Sequence, residues 1–330
     1  MTGSWRPGCG DETSAWQRTA AAFTAAVESG RLNLPLPGSG ATWRRWAAFA
    51  DLAEEDLSLA RLGEGHADAV AILAELGGPP PQPGSRWGVW AANPPGPNVT
   101  ATRQGGTWLL RGTKQYCSGA RVCTHALVTA RAGDDEQLFA VAVDGLEPHA
   151  GSWPATGMAG SDTLDVGFPA VPAEPVGPPG GYTGRPGFSH GGAGVAACWY
   201  GGARGVARAL ARAAAKRDVG PHALAHLGAV DIALRATRVA LARAADEIDA
   251  DPGDLRGEGA LRTLRVRALA EATATDVLAR TGRALGAGPL CHDEAHSRAV
   301  ADITVYLRQH HAERDLARLG ELVAEQGATW

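Results

Sequence analysis

At 330 residues the chain is long enough for one large domain or two to three small ones around a buried core. Its 31 basic and 35 acidic side chains give a formal charge of −4, and the absence of any run of like charge argues against a nucleic-acid or membrane-surface partner. The opening MTGSWRPGCGDETSAW has no apolar h-region behind a basic n-region, and no stretch approaches a membrane span, so a cytoplasmic protein is expected.

Up to Gly78 the pattern is helical. Trp43, Trp46, Phe49, Leu52 and Ala53 recur at threes and fours, and Leu57, Arg61 and Gly65 through Leu76 continue that period. GGPPPQPG (77–84) ends it, because proline removes a helix donor and glycine frees the backbone. From Ser85 to about Gly181 come TWLLRGTKQYCSG, HALVTARA, QLFAVAVDG and DTLDVGFPAV, short β-rich runs punctuated by Gly, Pro and Asp. With no helix between them, they predict an antiparallel barrel or sandwich. After GPPGGYTGRPG (177–187) helix returns in four segments, roughly 190–217, 222–250, 257–285 and 293–325, broken at DVGP, DPGD and GAGP. In the second, Leu227, Val230, Leu234 and Leu241 mark a buried stripe. Four long antiparallel helices predict a bundle. The expected class is α+β by segregation, divided as 1–84 (short helical domain), 85–181 (β-barrel) and 182–330 (four-helix bundle).

Cys9, Cys117, Cys123, Cys198 and Cys291 are an odd, widely spaced set without a CxxC, which predicts reduced thiols, with Cys117 and Cys123 as core residues of strands. Three stretches offer chemistry. In CHDEAH (291–296), His292 and His296 share a helix face, but Asp293 stands where the zinc-protease pattern needs Glu, and acids at a helix start have a simpler dipole explanation. SHGGAGV (189–195) puts His190 beside glycines before a helix, a candidate oxyanion site or a hinge. RQHHAERDLARLG (308–320) places His310 and His311 on either side of the sector defined by Val300, Ile303 and Leu307, at the margin of a buried face, with His311–Asp315 and His310–Arg314 as i,i+4 pairs.

GMAGSDTLDVGFPAVPAEPVG (157–177) resembles the Gly-Met-x-Gly-Ser-x-Thr segment and Val-Pro-x-Glu turn of acyl-CoA dehydrogenases. LLRGTKQYCSGA (109–120) is similar to that family's Gly-x-Lys-x-(Trp/Tyr)-Ile-(Ser/Thr) strand, and RALGAGPL (283–290) to its Gln-x-x-Gly-Gly-x-Gly loop, in the same order over about 43–325. The resemblance implies a helical N-terminal domain, a central β-barrel and a C-terminal four-helix bundle, assembled as a homodimer or homotetramer. It implies FAD, with FMN as the alternative, lying between barrel and bundle. Tyr116 maps to the aromatic that packs on the flavin and Ser118 to the hydroxyl near N5, where an apolar wall and a donor are chemically required.

Several positions depart from the family pattern. The N-terminal domain is short, and VWAANPPGPNVT (89–100) replaces the flavin-contacting Thr-Glu-Pro loop. KRDVG (216–220) stands for the Arg-x-Phe-Gly that grips the FAD diphosphate from a neighbouring subunit, leaving Lys216 or Arg217 as point charges. Arg283 takes the place of the loop glutamine, ahead of Gly286. The catalytic glutamate, eight residues after the Asp of an Arg-Asp pair, is replaced by His310, eight after Asp302.

Histidine accepts protons near neutral pH, so dehydrogenation of an acyl-CoA, with an electron-transfer flavoprotein as acceptor, is the first reading. The resemblance also covers flavin monooxygenases of the same fold, which lack the glutamate and often carry a histidine in that helix. There His310, meeting His190 across the pocket, would assist oxygen transfer or deprotonate a small-molecule substrate, with a separate flavin reductase as partner. A flavin-free scaffold is the third reading.

Overall fold

The structure is a computed structural model that describes residues 14–96 and 98–327; Cys9 lies outside them. The first third forms α1 (Ala15–Glu28), α2 (Thr42–Glu55) and α3 (Leu57–Leu76). Asp56 separates α2 from α3 and caps the latter by accepting the Leu59 amide at 3.1 Å. Gly77, at φ 69°, closes α3 in the left-handed conformation that glycine adopts without strain. The expected stripe of Trp46, Phe49, Leu52 and Ala53 is buried.

The middle third forms β1 (Trp87–Trp90), β2 (Thr100–Gln104), β3 (Thr107–Cys117), β4 (His125–Ala132), β5 (Asp135–Ala142), β6 (Pro148–His149) and β7 (Leu164–Val176). Strands β4, β2, β3, β7 and β5 pair in that order and the β4–β5 ladder closes the ring, so the barrel has no open edge there. It is not wholly antiparallel as expected, since β1 and β2 both run parallel to β4. They lie one after the other along the same edge of β4, interrupted after Trp90, where Pro94 and Pro95 cannot donate to a ladder. Gly112, at φ 122°, stands beside a bulge in β3; a Cβ there would lie 2.4 Å from the Asn98 carbonyl oxygen. Cys117 ends β3, whereas Cys123 is buried in the following turn rather than in a strand.

The last third contains α4 (Gly181–Gly184), α5 (Pro186–Lys216), α6 (Gly220–Ala250), α7 (Gly259–Leu285), α8 (Gly288–His292), α9 (Glu294–Tyr306) and α10 (Glu313–Gln326). On α6, Val230 and Leu241 of the expected stripe are buried. The helix expected over 293–325 is broken: Leu307–Gln309 tightens into a 3-10 turn, His310 is extended (φ −87°, ψ 126°), and Ala312 has a positive φ of 48°. SHGGAGV lies inside α5, where missing side chains admit close helix packing. A Cβ on Gly194 would stand 3.3 Å from Trp46, and one on Gly201 only 2.1 Å from the Ala50 carbonyl oxygen. These glycines dock α5 on α2 rather than forming an oxyanion site or hinge. No helix among the described residues is long and apolar enough to cross a membrane.

Candidate functional site

The break between α9 and α10 points the His310 ring inward. Its side chain is 3% exposed. Nδ1 accepts the amide of Ala312 at 3.2 Å, and the positive φ of Ala312 is strain of order 1–3 kcal/mol held at this turn. With the Nδ1 lone pair engaged, the proton of a neutral ring sits on Nε2. Burial pushes the His310 pKa down, against the opposing pull of Asp315 and Glu271, so the ring is a neutral donor. Nε2 has no hydrogen-bond partner, and the nearest carboxylate oxygen, on Asp315, is 4.0 Å away. The expected pairing with Arg314 is replaced by this approach to Asp315. His311 keeps its expected partner: Nδ1 lies 3.3 Å from Asp315 Oδ1, and its amide donates to the same carboxylate.

His310 meets the Trp199 ring edge-on at 6.3 Å between centroids, and Trp199 meets Tyr306 in the same way at 6.3 Å. The Arg267 guanidinium covers Trp199 at 4.6 Å and ties the turn to the bundle by donating to the carbonyls of Gly192 and Gln309. Trp199 and Tyr200, adjacent on α5, are both buried.

His190, on α5, has the opposite arrangement. Its Nε2 donates to the Pro252 carbonyl at 3.0 Å, so Nδ1 carries a lone pair, and that atom is buried without a partner. His190 and His310 share no hydrogen-bond or ring partner among the described residues, although Arg267 ties the chain beside each of them together through the Gly192 and Gln309 carbonyls.

On the barrel side, Tyr116 is half exposed (51%), has a φ of 59°, and stands edge-on to Trp153 at 6.4 Å. Ser118 is buried and linked to Thr163 at 3.0 Å; Thr163 is 2.8 Å from Ser161, which donates to the Met158 carbonyl at 2.8 Å. Each hydroxyl has one hydrogen, so the chain runs Ser118 to Thr163 to Ser161 to Met158, leaving Ser118 only lone pairs to offer. In this arrangement the Ser118 hydrogen is engaged by Thr163. Beside Ser118 and Arg61 is a cavity of about 10 Å³, the scale of one water. The GMAGSDT loop is pinned to α9: Asp302 accepts the Met158 amide at 2.5 Å, and burial raises the Asp302 pKa to about 6.

The segments expected to hold a cofactor phosphate do meet. Arg217 lines an open cavity of about 350 Å³ with Leu285 and Gly288, joined by Arg212 and His292. Lys216 and Arg283 are exposed at the last turns of α5 and α7 without lining it, and Gly286 terminates α7 at φ 67°. His292 and His296 fall on different helices, α8 and α9. Asp293 between them caps α9 by accepting the His296 amide at 3.0 Å, the helix-start role expected of an acid there. Among the described residues no group of His, Cys, Asp or Glu is placed to hold a metal.

A buried charged set on α3 escaped the sequence reading. Arg61 and Glu64 form an ion pair at 2.5 Å, with side chains 17% and 6% exposed. Burial raises the pKa of both Glu64 and Asp68, and Arg45 lies within electrostatic reach of each. His66 accepts the Trp87 amide on Nδ1 at 3.2 Å, and burial pulls its pKa down to about 4. The signal was present: these charges interrupt the inward stripe of an otherwise apolar helix. Lys114 is likewise buried in the barrel, its ammonium donating to Asn93, to the Thr129 carbonyl and to the Thr129 hydroxyl, with its pKa lowered by burial to about 8.

No protein-family model matches the sequence. No curated protein matches it either. Solved structures do. TdsC from Paenibacillus sp. A11-2, in a complex with FMN and indole, superposes with a TM-score of 0.79 at 19% identity, covering 94% of this chain and 96% of that one. Methanesulfinate monooxygenase MsuC from Pseudomonas fluorescens gives 0.71 at 19% identity, over 96% and 97%. A steroid ACAD variant gives 0.69 at 22% identity, over 94% and 90%. Helices, closed barrel and helices, matched over nearly the whole length, establish that this chain has the acyl-CoA dehydrogenase fold.

Proposed function

We propose that the chain is a flavin-dependent oxidoreductase that works as a monooxygenase on a small molecule, with reduced flavin supplied by a separate reductase. The observation that carries this reading is the hydrogen bond from Ala312 to His310 Nδ1. Dehydrogenation needs a lone pair aimed at the substrate's α-proton, and His310 offers an N–H instead. A donor at that position stabilises developing negative charge on oxygen, which suits oxygen transfer. TdsC is described as a dibenzothiophene monooxygenase and has been seen with FMN, and MsuC is a methanesulfinate monooxygenase.

Two separate sets of residues have the chemistry a flavin needs. The 350 Å³ cavity falls within the usual range of ligand sites, roughly 300–1,000 Å³, and Arg217 supplies a cation for a phosphate, while Arg212 is paired with Asp293 at 3.5 Å on the same wall. Tyr116 presents a half-exposed ring, the apolar wall an isoalloxazine needs. A phosphate cation and an aromatic wall suit FMN and FAD alike. When bound and reduced, the flavin supplies the two electrons that activate dioxygen. Around it, His310 holds a proton on Nε2, Trp199 and Tyr306 exclude water, and Arg267 fixes the turn that carries His310.

The free Nδ1 of His190 is the one observation favouring the second reading, α,β-dehydrogenation of an acyl thioester, because it is an acceptor without a donor. Anaerobic addition of octanoyl-CoA to the flavin-loaded protein separates the two. The monooxygenase reading expects no bleaching of the flavin, together with rapid reoxidation of the reduced protein by dioxygen. Bleaching by octanoyl-CoA would establish the dehydrogenase, and failure to bind FMN or FAD at saturation would remove both.

A further inference from the structure

The turn between α9 and α10 holds two residues in states that depend on each other. Ala312 has φ 48° and ψ −120°, the first central position of a type II′ turn, which glycine adopts freely and alanine only under strain. The turn is closed by the Arg314 amide, which donates to the His311 carbonyl at 3.1 Å. What keeps Ala312 there is its own amide, donating to His310 Nδ1 at 3.2 Å. That bond exists only while Nδ1 carries a lone pair, so a protonated ring would set one N–H against another.

A carboxylate stands beside the same ring. Asp315 accepts the His311 amide at 3.0 Å, lies 3.3 Å from His311 Nδ1, and is 4.0 Å from His310 Nε2, an atom without a hydrogen-bond partner. Burial raises the Asp315 pKa, but the His311 amide and the two imidazoles outweigh it and hold the group below the ordinary carboxylate value, so Asp315 stays ionised while histidines titrate. The other charged groups facing His310 come from α7 and from the turn itself: Glu271, which accepts from Arg308 at 3.0 Å, Arg267, which donates to the Gly192 and Gln309 carbonyls, and His311. From α5 and α9 come Trp199 and, edge-on to it, Tyr306, neither of them charged at neutral pH. Burial lowers the His310 pKa against Asp315 and Glu271, with Arg267 and His311 reinforcing it, so at neutral pH the ring is neutral and the turn closed.

We propose that the α9–α10 turn is a pH-operated latch: a proton taken up by His310 breaks its bond to Ala312, lets the strained turn relax, and draws Nε2 onto Asp315. Loss of the bond, relief of the strain and the new ion pair all act in one direction. Helix α10 is free to follow, since it packs chiefly on α7 and none of its side chains is fully buried. Opening turns the Nε2 hydrogen away from its inward direction and so switches off the donor at the candidate site; that consequence rests on the oxidoreductase reading above, whereas the latch itself does not.

Backbone hydrogen exchange on the full, flavin-free chain tests it, followed from about pH 7 down to about 4.5 and corrected for the intrinsic exchange rate. The amides of 310–326 are expected to lose about tenfold in protection relative to those of α5, while the imidazole ¹⁵N signals show His310 gaining a proton on Nδ1 over the same range. His310→Gln cannot take up that proton, and the response is expected to vanish. His311→Gln is expected to keep it. Ala312→Gly removes the strain that opening relieves and is expected to move the midpoint down by about one pH unit. Protection retained across the whole range, a response that survives in His310→Gln or is lost in His311→Gln, or a His310 that takes up its proton with the α10 amides still protected would each overturn the latch. No flavin is present, so the outcome is independent of the oxidoreductase reading, which the octanoyl-CoA and dioxygen experiment decides.

Discussion

The amide of Ala312 lies 3.2 Å from Nδ1 of His310 and donates to it. A residue that the sequence resemblance aligns with a catalytic base thereby holds its hydrogen on Nε2. The sequence alone placed a histidine there, but its tautomer depends on a turn whose geometry the helical periodicity of 293–325 concealed.

Replacing His310 separates the two roles. In His310→Gln the side-chain amide can present an N–H near the old Nε2 and is expected to retain turnover within about tenfold, whereas His310→Ala is expected to lose about 10²–10³-fold in kcat. Steady-state oxygen consumption with reduced flavin measures both. Equal losses in the two variants would point to the lone pair, not the hydrogen, as the working group.

The Arg61–Glu64 pair is buried on α3. Glu64→Gln leaves a guanidinium without its counter-charge and is expected to cost about 3 kcal/mol in urea unfolding. The double variant Arg61→Met, Glu64→Leu is expected to lie within about 1 kcal/mol of the parent, because both desolvation penalties vanish together.

Two helical glycines respond oppositely to alanine. In Gly201→Ala the new methyl would sit 2.1 Å from the Ala50 carbonyl oxygen, forcing α2 and α5 apart. A loss of about 3 kcal/mol, or on the order of 5 °C in Tm, is expected. Gly228 on α6 has no neighbouring atom within 4 Å, and Gly228→Ala is expected to stabilise by about 0.5–1 kcal/mol through helix propensity. Thermal melts distinguish the pair.

The contribution of His66 to stability is expected to fall on acidification between pH 6.5 and about 4, opposed in the same range by Asp302, Glu64 and Asp68, whose raised pKa values let the fold take up protons there. His66 stays neutral in the fold down to about 4, while its unfolded counterpart takes up a proton near the ordinary value of 6.5. In that window the unfolded state binds more protons, so unfolding becomes easier as pH drops, by up to about 3 kcal/mol from this residue. His125, His296 and His310 have lowered pKa values and act in the same direction. His66→Asn, which keeps an acceptor for the Trp87 amide, is expected to gain stability relative to the parent in urea melts as the pH falls from 6.5 to about 4, because the His66 contribution has been removed.

Periodicity and punctuation carried the gross architecture. Gly and Pro at DVGP and DPGD mark the ends of α5 and α6 within a few residues, because loss of a donor and free backbone act locally. Parallel pairing of β1 and β2 with β4 was not legible, since a strand's direction in a sheet depends on its route through space. At the candidate site, Arg217 and the 285–288 loop could be grouped from motif order. Arg61, Glu64 and Tyr306 could not, because their meaning lies in burial and in partners far along the chain. The hydroxyl chain that engages Ser118 is likewise a product of three residues, two of them on the distant GMAGSDT loop.

The proton on His310 is directly observable by ¹⁵N–¹H correlation of the imidazole nitrogens in labelled protein at neutral pH, with His310→Gln for assignment. The expected result is a neutral ring with Nε2 protonated and Nδ1 bare, the state set by Ala312. A ring protonated on Nδ1, or an imidazolium charged at neutral pH, would contradict the donor role and with it the case for oxygen transfer over proton abstraction.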